Sequence, residues 1–187
     1  MRSSKIAACF LAVIICAAIR AVAQDTNQPP TEFQCFMQQT NTIIVRGFTT
    51  TGTISLGNAT VAINAQEGND ISHDLKKYAV TIVLADAEQE GHHGIPYVVD
   101  YDELDSLIGA IDYLGKITSG VSQLSGFDAT YTTKCGFRVI AHSERRQGIT
   151  NTFIQFCDNP RIAASSEQLS QLHNLLSQAK ATIDGIK

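Results

Sequence analysis

The chain has 187 residues, of which 44% are hydrophobic and 17% charged, and its formal net charge at pH 7 is −4. This composition is typical of a folded chain rather than a disordered one, and the length suits one core or two small ones. The acidic balance gives no support to a basic nucleic-acid-binding protein. These totals alone do not indicate a reaction.

Residues 1–23 are typical of a secretory signal peptide. Two basic residues precede an apolar run over residues 6–19, and residues 21–23 have the small-x-small pattern of a cleavage site. The run is shorter than the roughly 20 residues that a membrane-spanning helix needs. We therefore expect a secreted or periplasmic protein with no stable membrane span. Arg20, a charge just before the cleavage site, is unusual there, and an uncleaved membrane anchor is the alternative.

Removal of this signal changes the charge and the cysteine count. The remaining chain has a formal charge of −7 and three cysteines, Cys35, Cys135 and Cys157. An odd number in an oxidising compartment implies one bridge and one spare thiol, or no bridge. The sequence contains no Cys-x-x-Cys pair, so it does not support a zinc knuckle or a thioredoxin-type site.

Two segments, residues 100–114 and 165–183, have apolar residues at the spacing of amphipathic helices. Their core positions and their predicted capping boxes keep a constant offset of 65 residues. The pairs are Asp100/Ser165, Glu103/Gln168, Leu104/Leu169, Leu107/Leu172, Ile111/Leu176 and Leu114/Ala179. The constant offset predicts a duplicated architecture, although any two amphipathic helices can be aligned over several positions.

Runs rich in β-branched and aromatic residues, typical of strands, precede each helix. They are residues 42–45, 53–56, 60–63, 78–84 and 97–99 before the first helix, and 127–131, 137–141 and 152–156 before the second. Gly57-Asn58 and Cys135-Gly136 are typical of tight hairpin turns, so we expect antiparallel strands. The predicted fold is α+β, with two antiparallel sheet-plus-helix (ββββα-like) repeats that share a core, each sheet covered by the helix that follows it.

The predicted organisation of the chain after the signal has two parts. Residues 24–39, rich in Gln, Asn, Pro and Thr, are expected to form a flexible leader. Residues 40–187 are expected to form a single domain of two repeats, 40–119 and 120–187.

Three segments resemble exported bacterial proteins of unknown function: Tyr97–Leu114, Phe127–Phe137 and the final helix. This resemblance implies no activity. The repeated order of strands followed by a helix is also distantly similar to the Whirly and PUR single-strand-binding proteins, which is a likeness of topology alone. Binding of single strands relies on basic grooves and aromatic side chains, whereas residues 40–119 carry 4 basic and 11 acidic side chains. We therefore expect no nucleic-acid partner.

The strongest local cluster of metal-ligating side chains lies between two predicted strands: Asp86, Glu88, Glu90, His92 and His93. Alternating carboxylates at a strand end point to one side, and two histidines at a flexible tip could complete a metal site. The alternative is a solvated hairpin loop, which the charges and Gly94 explain without a ligand.

Cys135 and Cys157 form the best disulfide hypothesis. If a strand beginning at Phe137 pairs antiparallel with one ending at Phe156, the two cysteines become near cross-strand neighbours. A bridge there would close a loop of about 20 residues and stabilise the protein by roughly 3 kcal/mol. The alternative is a bridge from Cys35 to either of them.

The sequence predicts no catalytic residues and no cofactor, because the common nucleophile, zinc-protease and phosphate-loop motifs are absent. His142 and His173 are interpreted as structural residues. The basic side chains of the second half either dock against the acidic first half or are solvated; they are Lys134, Arg138, Arg145, Arg146 and Arg161. Asn58 begins a glycosylation sequon in a predicted turn.

These observations favour an exported, non-enzymatic binding or envelope-associated module with a protein or envelope partner. One alternative is a metal-binding protein that uses the loop from Asp86 to His93. The other is a single-strand nucleic-acid-binding protein, which the charge disfavours.

Overall fold

The structure is a computed structural model that describes residues 28–86, 94–144, 149–156 and 161–187. Within these residues the chain forms three α-helices and eight strands, with short 3-10 turns at Tyr101–Glu103 and Ser119–Val121. In chain order they are α1 (Glu32–Met37), β1 (Ile44–Leu56), β2 (Ala59–Asp70), β3 (Leu75–Asp86), β4 (Ile95–Asp100), α2 (Leu104–Lys116), β5 (Gly126–Thr132), β6 (Phe137–Glu144), β7 (Ile149–Phe156), β8 (Ile162–Ala164) and α3 (Ser166–Asp184).

The strands form two antiparallel sheets in sequential order, sheet A from β1 to β4 and sheet B from β5 to β8. Helix α2 follows sheet A and α3 follows sheet B, so the predicted α+β fold of two ββββα-like units is confirmed. The core positions that were matched at the offset of 65 residues are buried in both helices: Leu104, Leu107, Ile111 and Leu114 in α2, and Leu169, Leu172, Leu176 and Ala179 in α3.

Both predicted hairpin turns are confirmed. Gly57 turns β1 into β2 with a φ of 60°, and Gly136 turns β5 into β6 with a φ of 81°. Backbone with φ in this left-handed region strongly favours glycine.

Sheet A differs from the prediction in one strand. The predicted strands at residues 42–45 and 53–56 are the two ends of β1, which continues between them through an irregularity at Thr50–Gly52. The two glycines and the run of threonines in this stretch hide the period-two pattern. In sheet B, β8 was not predicted because three residues are too few to show a period.

The helices exchange sheets between the two repeats. Helix α3 packs against β1, β2 and β3 of sheet A, α2 packs against β5 and β6 of sheet B, and the helices pack against each other. The prediction that each helix covers the sheet before it is therefore wrong. Apolar periodicity determines which side of a helix is buried but not which sheet buries it. Both sheets and both helices contribute to one hydrophobic core.

The predicted flexible leader contains a packed helix, so that prediction is wrong for α1. Thr31 and Gln34 form a reciprocal capping box at its start. Phe33 is buried with Ala79 and Val98 on the face of sheet A that points away from α3. A helix of 6 residues is too short to show an apolar period.

The predicted capping box of Asp100 and Glu103 is not formed. Asp100 lies at the end of β4, and its carboxylate accepts hydrogen bonds from the Glu32 and Phe33 amides, each at 2.9 Å. It therefore caps α1 rather than α2, whose first turn is replaced by the 3-10 turn. The matching box of Ser165 and Gln168 at the start of α3 is present.

Asp70 organises the turn between β2 and β3. Its buried carboxylate accepts hydrogen bonds from the Thr42 hydroxyl and from the amides of Ser72 and His73, and it lies 2.7 Å from His73 Nδ1. The Thr42 bond is the main reason that the pKa of Asp70 is lower than usual; burial opposes this shift, and His73 and Ser72 add to it.

We expect Asp70→Asn to lower the free energy of unfolding at neutral pH. Because the folded state lowers the pKa of Asp70, the stabilisation is complete above the ordinary carboxyl pKa of about 4 and is lost as the pH falls through the folded value. Denaturation measured from about pH 7 to about pH 2 should show wild type and variant converging towards low pH. Asp74→Asn, in the same turn but exposed, is the control. An Asp70→Asn effect that stays constant with pH would contradict this prediction.

Candidate interaction surface

The structure does not test the predicted metal cluster. Asp86 is the last residue of β3, and Glu88, Glu90, His92 and His93 lie outside the described residues. Among the residues that the structure describes, no group of three or more His, Cys, Asp or Glu side chains could hold a metal ion. The metal site stays a prediction.

The strand register that motivated the disulfide hypothesis is present. Phe137 pairs with Phe156 in the antiparallel ladder of β6 and β7. Cys135 is buried just before β6, and its Sγ lies 3.2 Å from the Thr133 hydroxyl. Cys157 lies outside the described residues, so the bridge from Cys135 to Cys157 stays a prediction. Cys35 is an exposed thiol on α1, and the alternative bridges from Cys35 also stay predictions.

A groove of about 300 Å³ lies between α2 and α3 and contains His173 and Asp112. The pKa of Asp112 is lower than usual, chiefly because Lys116 donates a hydrogen bond to it. The hydroxyl of Ser170, also in the groove, donates to the Ser166 carbonyl. The groove therefore shows ordinary helix-surface interactions, and its described side chains form no base-to-nucleophile hydrogen bond.

The remaining predicted histidine lies on the outer face of sheet B. His142 Nδ1 is 2.7 Å from the Asp128 carboxylate on the neighbouring strand. Both side chains are partly open to solvent. This pair links β5 to β6.

One basic residue of the second repeat docks against the acidic first repeat. The Lys134 amide donates to Glu103 at 3.0 Å, and Lys134 Nζ lies 3.2 Å from Asp102. Burial raises the pKa of Glu103, and the contacts with Lys134 oppose this shift. The acidic run at the start of α2 is therefore part of the joint between the repeats.

Nine large hydrophobic side chains are exposed among the described residues, and five of them lie at one end of sheet A. We call these five the β1 patch: Ile43, Val45, Phe48, Ile71 and Leu75. Phe48 is 72% exposed and Ile43 is 68% exposed. These five side chains lie on both faces of the sheet around its edge, with Phe48 and Leu75 on one face and Val45 on the other. Exposed apolar side chains gathered at one end of a sheet favour an interaction site, whereas scattered single residues are ordinary.

The backbone of β1 is also open along this end, because β1 is an edge strand of sheet A. The amide of Ile71, directly after β2, donates to the carbonyl of Ile43, directly before β1, at 3.1 Å. The backbone amide and carbonyl of Ile43 therefore point towards the β2 side. Along an antiparallel strand, residues whose backbone amide and carbonyl point towards the neighbouring strand alternate with residues whose amide and carbonyl point away from it. We name Ile44–Thr50 the open segment. Its outward-pointing residues are Ile44, Arg46, Phe48 and Thr50.

The other half of the same edge is closed. The Gln168 side chain at the start of α3 donates to the Ser55 carbonyl at 2.7 Å, and β8 lies against β1. The irregularity at Thr50–Gly52 separates the closed half from the open segment. One strand thus has a protected half and an accessible half.

The open segment lacks the devices that usually protect an edge strand. Such strands are commonly blocked by lysines, prolines, bulges or a covering element. Arg46 is the one charged residue between Ile44 and Thr50, and its Nε donates to Gln66 at 3.1 Å, which keeps it on the sheet. The open segment is therefore a strand with a single charged residue, rich in β-branched residues, with accessible backbone groups.

No known protein family, curated protein or solved structure matches this chain. None of the described helices is both long enough and apolar enough to span a membrane.

Proposed function

We propose that this protein is an exported, non-enzymatic binding module that receives an extended strand along the open segment of β1. The observation that carries the proposal is the accessible edge of β1 beside an exposed apolar patch. The signal-like residues 1–23 support export to a secreted or periplasmic location.

The addition of a strand would use both the open backbone edge of β1 and the exposed apolar side chains of the β1 patch. Outward backbone groups of the open segment would continue the ladder of sheet A, and each new hydrogen bond would contribute about 0.5–1.5 kcal/mol. Phe48 and Val45, on opposite faces of β1, would contact alternate side chains of an added strand. The backbone would then supply affinity, and the β1 patch would supply specificity.

The charges of this surface favour a polypeptide over a nucleic acid. Binding of a phosphate backbone needs several lysines or arginines along one track. The open segment carries only Arg46, and the nearby Lys76 is paired with Glu67 at 2.8 Å. A neutral, hydrogen-bonding strand requires no cationic track.

Selection of a random peptide library against the immobilised protein tests this proposal. We expect the selected peptides to have alternating β-branched or aromatic residues and to protect the amides of Arg46 and Phe48 from hydrogen exchange. Phe48→Lys should weaken their binding at least tenfold, because it removes an apolar contact and adds a charge to the edge. Tyr113→Lys is the matched control, since Tyr113 is an aromatic residue that is 61% exposed on α2. Peptides that bind both variants equally, or that protect no β1 amide, would contradict the proposal.

A further inference from the structure

We infer that the strand received by β1 is the same segment of a second copy, which gives a two-fold dimer with the axis at Gly47. The inference rests on the proposed function, since it names the occupant of the open segment. A continuous sheet would then run from β4 of one copy to β4 of the other.

The register follows from the limits of the open segment. Ile44–Thr50 has Gly47 at its centre, with Ile44 at the start of the strand and the irregularity after Thr50 at the other end. A two-fold axis at Gly47 places Ile44 opposite Thr50 of the second copy, and Arg46 opposite its Phe48. The backbone amides and carbonyls of these four residues point away from β2, so the two members of each pair can exchange backbone hydrogen bonds.

The side chains in this register are complementary. Arg46 and Phe48 share the face of sheet A that points away from α3. The guanidinium of each copy would therefore lie beside the phenyl ring of the other, twice by symmetry. An axis at Arg46 would instead place two guanidinium groups opposite each other, which is unfavourable. An axis at Phe48 would pair Ile44 with Gly52, across the irregularity.

Gly47, at the centre of this register, leaves room for a side chain. A Cβ atom at Gly47 would meet only the Glu67 side chain, at 3.7 Å or more, and its φ is not in the left-handed region. Neither packing nor backbone conformation within one copy therefore requires glycine here. At the axis of the inferred dimer, two Cα atoms would face each other at about 4.5 Å.

Cysteine cross-linking tests the register directly. In a Cys35→Ser background, which removes the exposed thiol, Gly47→Cys should form a disulfide-linked dimer under mild oxidation. A residue on a two-fold axis pairs with itself, and about 4.5 Å between Cα atoms lies within the range of disulfides. Arg46→Cys and Phe48→Cys should cross-link several-fold less, because neither faces itself. Thr53→Cys, exposed on the closed half of β1, is the matched control.

Sedimentation of the wild-type chain over a range of concentrations tests the association itself. We expect a monomer–dimer equilibrium that Phe48→Lys shifts at least tenfold towards monomer and that Tyr113→Lys leaves unchanged. A chain that is monomeric throughout, with Gly47→Cys cross-linking no more than Thr53→Cys, would overturn this inference. If peptides still bind along β1 of such a monomer, the proposed function stands without the dimer. If they do not, both proposals fail.

Discussion

Leu172→Ala is expected to lower the free energy of unfolding by about 3 kcal/mol and to perturb the sheet of the other repeat. Leu172 is fully buried on α3, and truncation of such a leucine loses its transfer free energy and leaves a cavity. Because α3 packs against β1, β2 and β3, the largest changes in amide chemical shift outside α3 and α2 should lie in sheet A. Urea denaturation gives the free energy, and NMR of the folded variant gives the location.

Leu107→Ala is the reciprocal variant. Leu107 is equally buried, but it lies on α2, which packs against β5 and β6. We expect a similar loss of stability, about 2–5 kcal/mol, with the chemical-shift changes concentrated in sheet B. If each substitution mainly perturbs the sheet of its own repeat, the exchange of helices is contradicted.

Asp100→Ala is expected to cost about 3 kcal/mol and to release α1 from sheet A. The Asp100 carboxylate accepts two amide hydrogen bonds from the start of α1 and is almost completely buried. Hydrogen bonds to charged groups contribute about 1.5–3 kcal/mol each, and unsatisfied buried donors are costly. Denaturation measures the loss, and hydrogen exchange should show faster exchange at Phe33 than in the wild type.

Asp102→Ala is the matched control for that substitution. Asp102 is two residues further along, its side chain is 64% exposed, and it contacts Lys134 at 3.2 Å. An exposed ion pair contributes about 0–1 kcal/mol, so this variant should be nearly as stable as the wild type. Equal effects of the two substitutions would show that Asp100 contributes through surface charge rather than by capping α1.

The two-unit fold can be predicted because the signals for its helices and turns lie in short stretches of sequence. Period-three-and-four leucines mark α2 and α3, and glycines mark the tight turns at Gly57 and Gly136. The exchange of helices could not be predicted, since it depends on which apolar surfaces meet after the helices form. Capping at Asp100 was assigned to the wrong helix for a similar reason. Its partners, Glu32 and Phe33, are 68 and 67 residues away in the chain.

The candidate site is visible in the sequence only in part. The threonine-rich stretch between Ile44 and Thr53 indicates a strand with little charge, but a central strand can have the same composition. Whether a strand lies at an edge depends on strand order, and whether that edge is open depends on distant residues. Gln168, which closes one half of β1, is 113 residues from Ser55 along the chain. Gly47 is the one local signal, because a glycine within a β-branched run needs an explanation.

The exchange of helices also has a consequence for how the molecule is made. Sheet A comes early in synthesis, yet the helix that covers it follows sheet B in the chain, so the apolar face of sheet A has no cover until α3 has been made. Folding dominated by such distant contacts is slow. A newly made chain should consequently lack a stable sheet A for as long as α3 is missing, because the apolar face of this sheet stays open to water.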